Sequence, residues 1–263
     1  MRRARLTVAY DGSGFHGFAE SAGPGGEAVR TVMGDLRAAI ETVVRHPVEP
    51  VGAGRTDAGV HAWGQVVSLD LADDTDLEGL RRRLDRLCGP EIAVRDIRWA
   101  DTPDFHARYS AQWRHYRFDV LEGPSPVPQL AWSTWHVRGP LDLWAMQLAC
   151  DPLIGEHDFS SFCRRPKVAD GEPPATLVRR VLRAEWREVP SDFAVDGSRL
   201  LRFEIRANAF CHQMVRSIVG TLVEVGTGTI RAGEMRGILL RRDRQAAGRV
   251  APPHGLTMWD VGY

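Results

Sequence analysis

The chain has 263 residues, its 34 Lys and Arg are balanced by 34 Asp and Glu, and it is 43% hydrophobic and 26% charged. A chain of that length and composition buries a sizeable core without staples, which excludes wholesale disorder. No stretch of about 18 apolar residues is free of charge, so a helical membrane span is excluded. The most apolar long stretch, residues 210–225, contains His212, Arg216 and Glu224.

The opening MRRARLTVAYDG has basic residues but only a strand-length apolar run, too short for a secretory signal, so cytoplasm is the expected compartment. The four cysteines (Cys88, Cys150, Cys163, Cys211) form no CxxC pair, and structural zinc wants close ligand pairs. They are expected as reduced thiols. Lys167 is the single lysine, so 33 of the 34 cations are arginines, planar groups that suit phosphate and stack on bases. GC-rich codon usage gives the same bias. Zero net charge argues against indiscriminate nucleic-acid binding.

In chain order, Leu6, Val8 and Tyr10 alternate with Arg5, Thr7 and Ala9, a half-buried strand. Residues 12–26 hold six glycines and a proline and predict a loop. Apolar residues from Val29 to Val44 recur at helical spacing over 29–45. Residues 65–71 (QVVSLDL) predict a strand, 77–87 a helix with an arginine-rich outer face stopped by Gly89-Pro90, and 92–99 a strand. Tyr116, Phe118 and Val120 mark another strand. The proline-rich 123–128 reads as a crossover between halves 1–122 and 123–263. A short helix is expected over 141–150. Leu182, Ala184 and Trp186, then Leu201, Phe203, Ile205 and Ala207, alternate with charged residues as two antiparallel strands. An amphipathic helix over 210–225, another over 231–242 and a closing strand over 256–263 complete an α+β chain, a mixed or antiparallel sheet covered by helices.

The densest candidate for chemistry is VGAGRTDAGVH at 51–61. Its glycines let the backbone turn tightly and admit a ligand. Asp57, beside Arg55, is a carboxylate that an arginine can keep ionised and that could attack an anomeric carbon. The segment lacks the third glycine of a dinucleotide fingerprint and the GK[ST] of a phosphate-binding loop. The nine histidines give no HxxxH or HExxH, and no GxSxG elbow occurs, so neither a metal nor a nucleotide cofactor is expected. His212 and Arg216, four apart, would share a helix face. Tyr116, between Arg114 and Arg117, offers a ring for stacking and a phenol for proton transfer.

These blocks resemble the tRNA pseudouridine synthase A family. GRTDAGVHA at 54–62 is similar to its active-site motif. YDGSGFHG at 10–17, FHARYSA at 105–111 with RHYRF at 114–118, HDFSSF at 157–162, NAFCHQMVRSIVGTLVEVG at 208–226 and APPHGLTMWDVGY at 251–263 follow in the family's order. The resemblance implies two RRM-like halves forming one sheet around a central active-site cleft. It implies Asp57 as the catalytic aspartate, Tyr116 against the target uracil, Arg216 pairing with the aspartate and Arg55 engaging RNA near the extruded base. It also implies a homodimer, without cofactor or metal, acting on tRNA uridines 38, 39 and 40. Phe18-Ala19 replaces the usual Trp-Gln, Met33 a common glutamine, and residues 85–90 an Asn-rich segment. Two other classes stay open on the residues alone. One is a non-catalytic RRM-type RNA binder, although an aromatic RNP1 block is absent. The other is a glycoside hydrolase, although its usual second carboxylate is missing from the motif.

Overall fold

A computed structural model of the chain describes residues 1–23, 26–165, 176–193 and 197–263. Part of the expected glycine-rich loop, residues 24–25, lies outside the described residues. Packing groups residues 1–112 and 257–263 into one unit, and residues 113–256 into another.

The first unit is built on β1 (Arg2–Tyr10), α1 (Val32–Val44), β2 (Val51–Gly52), β3 (His61–Leu71), α2 (Leu77–Cys88) and β4 (Ile92–Trp99). β1 lies between β4 and β3 and is antiparallel to both, with β2 antiparallel on β3. That is the split βαβ arrangement, order β4-β1-β3-β2. Alternation puts Ala4, Leu6 and Val8 on the buried face of β1, opposite Leu69, Val67 and Gln65. Leu36 and Ile40 of α1 and Leu84 of α2 are fully buried. Each such side chain contributes roughly 1.5–3 kcal/mol relative to exposure. Thr31 and Asp76 start the two helices by accepting from the amides of Gly34 and Gly79. A last strand, β10 (Leu256–Gly262), runs parallel to the start of β3, pairing Thr257 with His61 and Met258 with Ala62.

The second unit contains β5 (Trp113–Glu122), β6 (Trp135–Val137), α3 (Leu143–Leu148), β7 (Gly155–Asp158), β8 (Val178–Val189), β9 (Arg199–Ala207), α4 (Met214–Gly226) and α5 (Met235–Arg241). β9 lies between β5 and β8 and is antiparallel to both, and β7 extends the sheet beyond β8. The sequence placed β5 with the first half and β10 with the second. Their packing is the reverse, because β5 pairs along its length with β9 while β10 pairs with β3.

Two differences from expectation change which residues face the core. The strand over 182–187 reads as Leu182, Ala184 and Trp186 inward, yet Leu182 is 44% exposed. A register shift between Val181 and Arg183 changes the phase, so Val181, Ala184 and Trp186 are the buried set. The helix expected from Phe210 begins at Met214, after Gln213 at φ 62°. Eleven of its 13 residues are buried, leaving Arg216 and Glu224 as the exceptions. It is therefore a core helix rather than an amphipathic surface one. Gly220 is required there, since a Cβ would sit 1.8 Å from the Arg249 carbonyl oxygen. The chain at 248–251 is stitched along α4: Gly248 N–H donates to Thr221 Oγ1 (2.9 Å), Arg249 N–H to Glu224 Oε1 (3.0 Å) and Ala251 N–H to the Arg216 carbonyl (3.0 Å).

Among the described residues, no helix is long and apolar enough to cross a membrane.

Candidate active site

The GRTD segment forms the loop from β2 to β3. Antiparallel pairing of Val51 with Ser68 and Gly52 with Val67 brings the chain in, and Ala53 N–H donates to Val66 O at 2.8 Å. Gln65 on β3 is fully buried, and its amide donates to the Gly54 carbonyl at 2.9 Å. Thr56 is buried, and its hydroxyl lies 2.7 Å from the Tyr10 hydroxyl at the end of β1. Its carbonyl accepts from Phe18 N–H at 3.1 Å. Val60 N–H then closes a turn on the Asp57 carbonyl at 3.1 Å, with Gly59 at φ 76°.

The loop at 10–17 packs beneath the motif. A Cβ on Gly12 would stand 2.1 Å from the Val60 carbonyl oxygen, so only glycine fits. Gly12 N–H donates to His61 Nδ1 at 3.1 Å, and Asp11 Oδ1 lies 3.1 Å from the same nitrogen. Burial pushes the Asp11 carboxyl up, but the Ser13 hydrogen bonds and His61 outweigh it and hold the group below its ordinary value. Phe18 is core: its ring stacks on Tyr10 at 5.9 Å and fills the space a Cβ on Gly52 would occupy. Phe18 thus packs under the motif loop.

On that mount Asp57 is half-buried and Arg55 exposed. The other two expected site residues belong to the second unit. Tyr116 on β5 is 7% exposed, with Phe210 edge-on to its ring at 5.0 Å and 82°. Its neighbours on β5 are engaged elsewhere: Arg114 donates to the Asn208 carbonyl at 2.9 Å, and Arg117 pairs with Glu204 at 2.6 Å. Arg216 sits in the first turn of α4, and its Nε–H donates to the Ala251 carbonyl at 2.8 Å, which fixes the plane of the guanidinium. His212 does not share its helix face, because it precedes the left-handed Gln213.

The clamp on the motif loop escaped the sequence reading. Tyr10, Thr56 and Gln65 are common polar residues, and Gln65, just before Val66 and Val67, is the one whose sequence context signals a buried group that needs a partner. Among the described residues, no three His, Cys, Asp or Glu side chains gather to hold a metal ion.

The sequence model of a family described as tRNA pseudouridine synthase matches residues 6–110 and 149–263. The chain belongs to this family. Among its relatives, the tRNA pseudouridine synthase A of Brevibacillus brevis is 38% identical, with all of both chains covered. That of Frankia casuarinae is 42% identical over 99% of this chain and 89% of its own. That of Halalkalibacterium halodurans is 40% identical over 97% and 90%. The family match includes the whole β2–β3 loop with Asp57, and the α4 segment with Arg216; Tyr116 lies in the gap between the two matched spans.

Proposed function

We propose that the chain isomerises uridine to pseudouridine in the anticodon stem-loop of tRNA, at positions 38, 39 or 40, with Asp57 starting the chemistry. The observation that carries this is the loop itself. A half-exposed aspartate is presented by a backbone pinned through Tyr10, Phe18 and Gln65, in a chain of the tRNA pseudouridine synthase family. Such pinning holds a reacting carboxylate in one geometry without reorganisation.

In this reading the target uridine leaves its stack, at a cost of a few kcal/mol that is least near a stem–loop junction. Asp57 either attacks C1′, forming a covalent ester as the N1–C1′ bond breaks, or removes the C2′ proton to give a glycal. The freed uracil turns and C5 bonds to C1′, displacing the Asp57 carboxylate from the ester or, in the glycal route, with Asp57 returning its proton to C2′; the C5 proton is then lost while N1 gains one. Atoms balance without water or redox change. Tyr116, braced by Phe210, stacks on the uracil and relays the C5 proton. Arg216, its plane set by Ala251, pairs with Asp57. Arg55 contacts RNA beside the extruded base. Two copies of the chain act together on each tRNA, in the cytoplasm.

The test is tritium release from tRNA transcript carrying 5-tritiated uridine, because forming the C5–C1′ bond expels the C5 hydrogen. Wild type should release tritium without added metal, and Asp57→Asn should fall by about a thousandfold or more, as expected for loss of a group that starts the chemistry. Equal release by both removes Asp57 from its role. No release by folded wild type from several tRNAs overturns the activity and favours a non-catalytic RNA binder.

A further inference from the structure

Apart from the groups already assigned, the second unit holds a concave cluster of arginines. Ser160, Arg164 and Arg165 on one wall, and Arg242, Asp243 and Arg244 on the other, line a pocket of about 480 Å³. The walls are joined through Ser161, which is fully buried. Its hydroxyl donates to the Ile238 carbonyl at 2.7 Å and accepts from Asp243 N–H at 3.0 Å. Arg242 follows α5 at φ 52°, turning the chain so that it and Arg244 both reach the pocket. Arg244 Nη1 is held by the carbonyls of Ala247 (3.3 Å) and Gly248 (3.0 Å). Arg242 Nε lies 3.3 Å from Asp158 Oδ2, while Asp158 Oδ1 accepts from Ser160 N–H at 3.0 Å. Arg164 is anchored by its backbone N–H on the His212 carbonyl at 3.0 Å.

The charges do not balance. Four guanidinium groups share this space with two carboxylates, Asp158 and Asp243, an excess of two positive charges in a concavity. Burial pushes the Asp158 carboxyl up, but hydrogen bonds from Ser160 and the charges of Arg242 and Arg165 outweigh it and keep the group ionised. Arg164, Arg165 and Arg242 are exposed, so this excess charge faces solvent where a ligand can reach it, and planar guanidinium forks match phosphate oxygens pairwise. None of these arginines has a part in the chemistry assigned to Asp57.

We propose that this pocket seats a backbone phosphate of the RNA substrate. The proposal rests on the functional reading above, since tRNA supplies the phosphodiester. It makes the pocket a docking point that positions tRNA and carries no sequence information.

The test compares wild type, Arg165→Gln/Arg242→Gln, and a control, Arg82→Gln/Arg83→Gln, which removes two exposed cations from α2. Affinity for unmodified tRNA is measured across a salt series, and tritium release gives kcat and KM. Each phosphate contact contributes about 0.7–0.9 to the slope of log affinity against log salt. The pocket variant should lose about tenfold in affinity, lower that slope by about one, raise KM in proportion and leave kcat within about twofold. The control should stay near wild type. Unchanged slope and affinity in a folded pocket variant overturn the proposal, and so does an equal loss in the control. Inorganic pyrophosphate at constant ionic strength distinguishes the source of the phosphate. If it raises the melting temperature of wild type but not of the pocket variant while tRNA affinity is the same in both, the site serves a free phosphate compound and the RNA assignment is overturned. Absence of tritium release by wild type counts against the catalytic reading alone, because affinity is read separately.

Discussion

Glu204, on β9, is 5% exposed, and two guanidinium groups and an imidazole surround it: Arg117 at 2.6 Å, Arg187 at 3.4 Å and His115 at 4.0 Å. Burial alone would push its carboxyl up, but Arg117, His115 and Arg187 outweigh that and lower it below the usual 4.5. A carboxylate whose folded pKa lies below its unfolded one stabilises the fold above the unfolded value, and that contribution is lost as pH falls through the folded value. Glu204→Gln should therefore cost about 3 kcal/mol at pH 7, where it leaves the Arg117 guanidinium partly buried without its counter-charge. The cost should shrink below pH 4.5. Urea melts of both proteins from pH 7 to pH 3 check this, and a constant difference across that range would remove the charge argument. Alternation along 201–207 assigns Glu204 outward like Arg202 and Arg206. The strand pattern cannot reveal that its second face is also covered, because that depends on which strands flank β9. The turn that carries Asp57, by contrast, is legible from its own residues. A tight glycine-rich turn beside an arginine is a local feature, whereas its supports at Tyr10 and Gln65 come from distant segments.

Among the elements, most helices and long strands were readable from their period, and the shortest strands were not. β4 matches its expected span of 92–99, and α2 extends the expected 77–87 by one residue. β2 and β6 have two and three residues, too few to show any period, and their existence is owed to partners on β3 and β5. The expected β3 began at Gln65, whereas the strand starts at His61. Gly64 hides the extension: it discourages a strand reading, yet a Cβ there would stand 2.3 Å from the Trp259 carbonyl oxygen on β10. The bulge in β8 yields a prediction at this scale. Leu182→Ser should cost less than about 0.5 kcal/mol because the side chain is 44% exposed, whereas Trp186→Ala, 5% exposed, should cost about 3–5 kcal/mol. Chemical denaturation of the two variants settles the phase of the strand, and similar losses would contradict the bulge.

For the whole molecule, equal numbers of acidic and basic residues mean that no overall field draws an RNA polyanion in. Binding of tRNA must come from local arginines acting within a Debye length of about 8–10 Å. Affinity should fall at least about tenfold between 50 and 200 mM salt, as release of counterions from several phosphates requires. Filter binding at constant temperature checks it, and an affinity indifferent to salt would contradict phosphate-based recognition.

The pairing of β10 with β3 also bears on how the chain is made. Residues 257–263 are translated about 145 positions after residue 112, with the entire second unit synthesised in between. At about 5–20 residues per second, the first unit waits several seconds to half a minute for the strand that flanks His61 and Ala62. Every residue of the second unit is translated before the first unit's last strand. The first unit is thus interrupted along the chain by the second, and the loop bearing Asp57 waits for the strand beside its exit at His61 until the whole second unit has been translated.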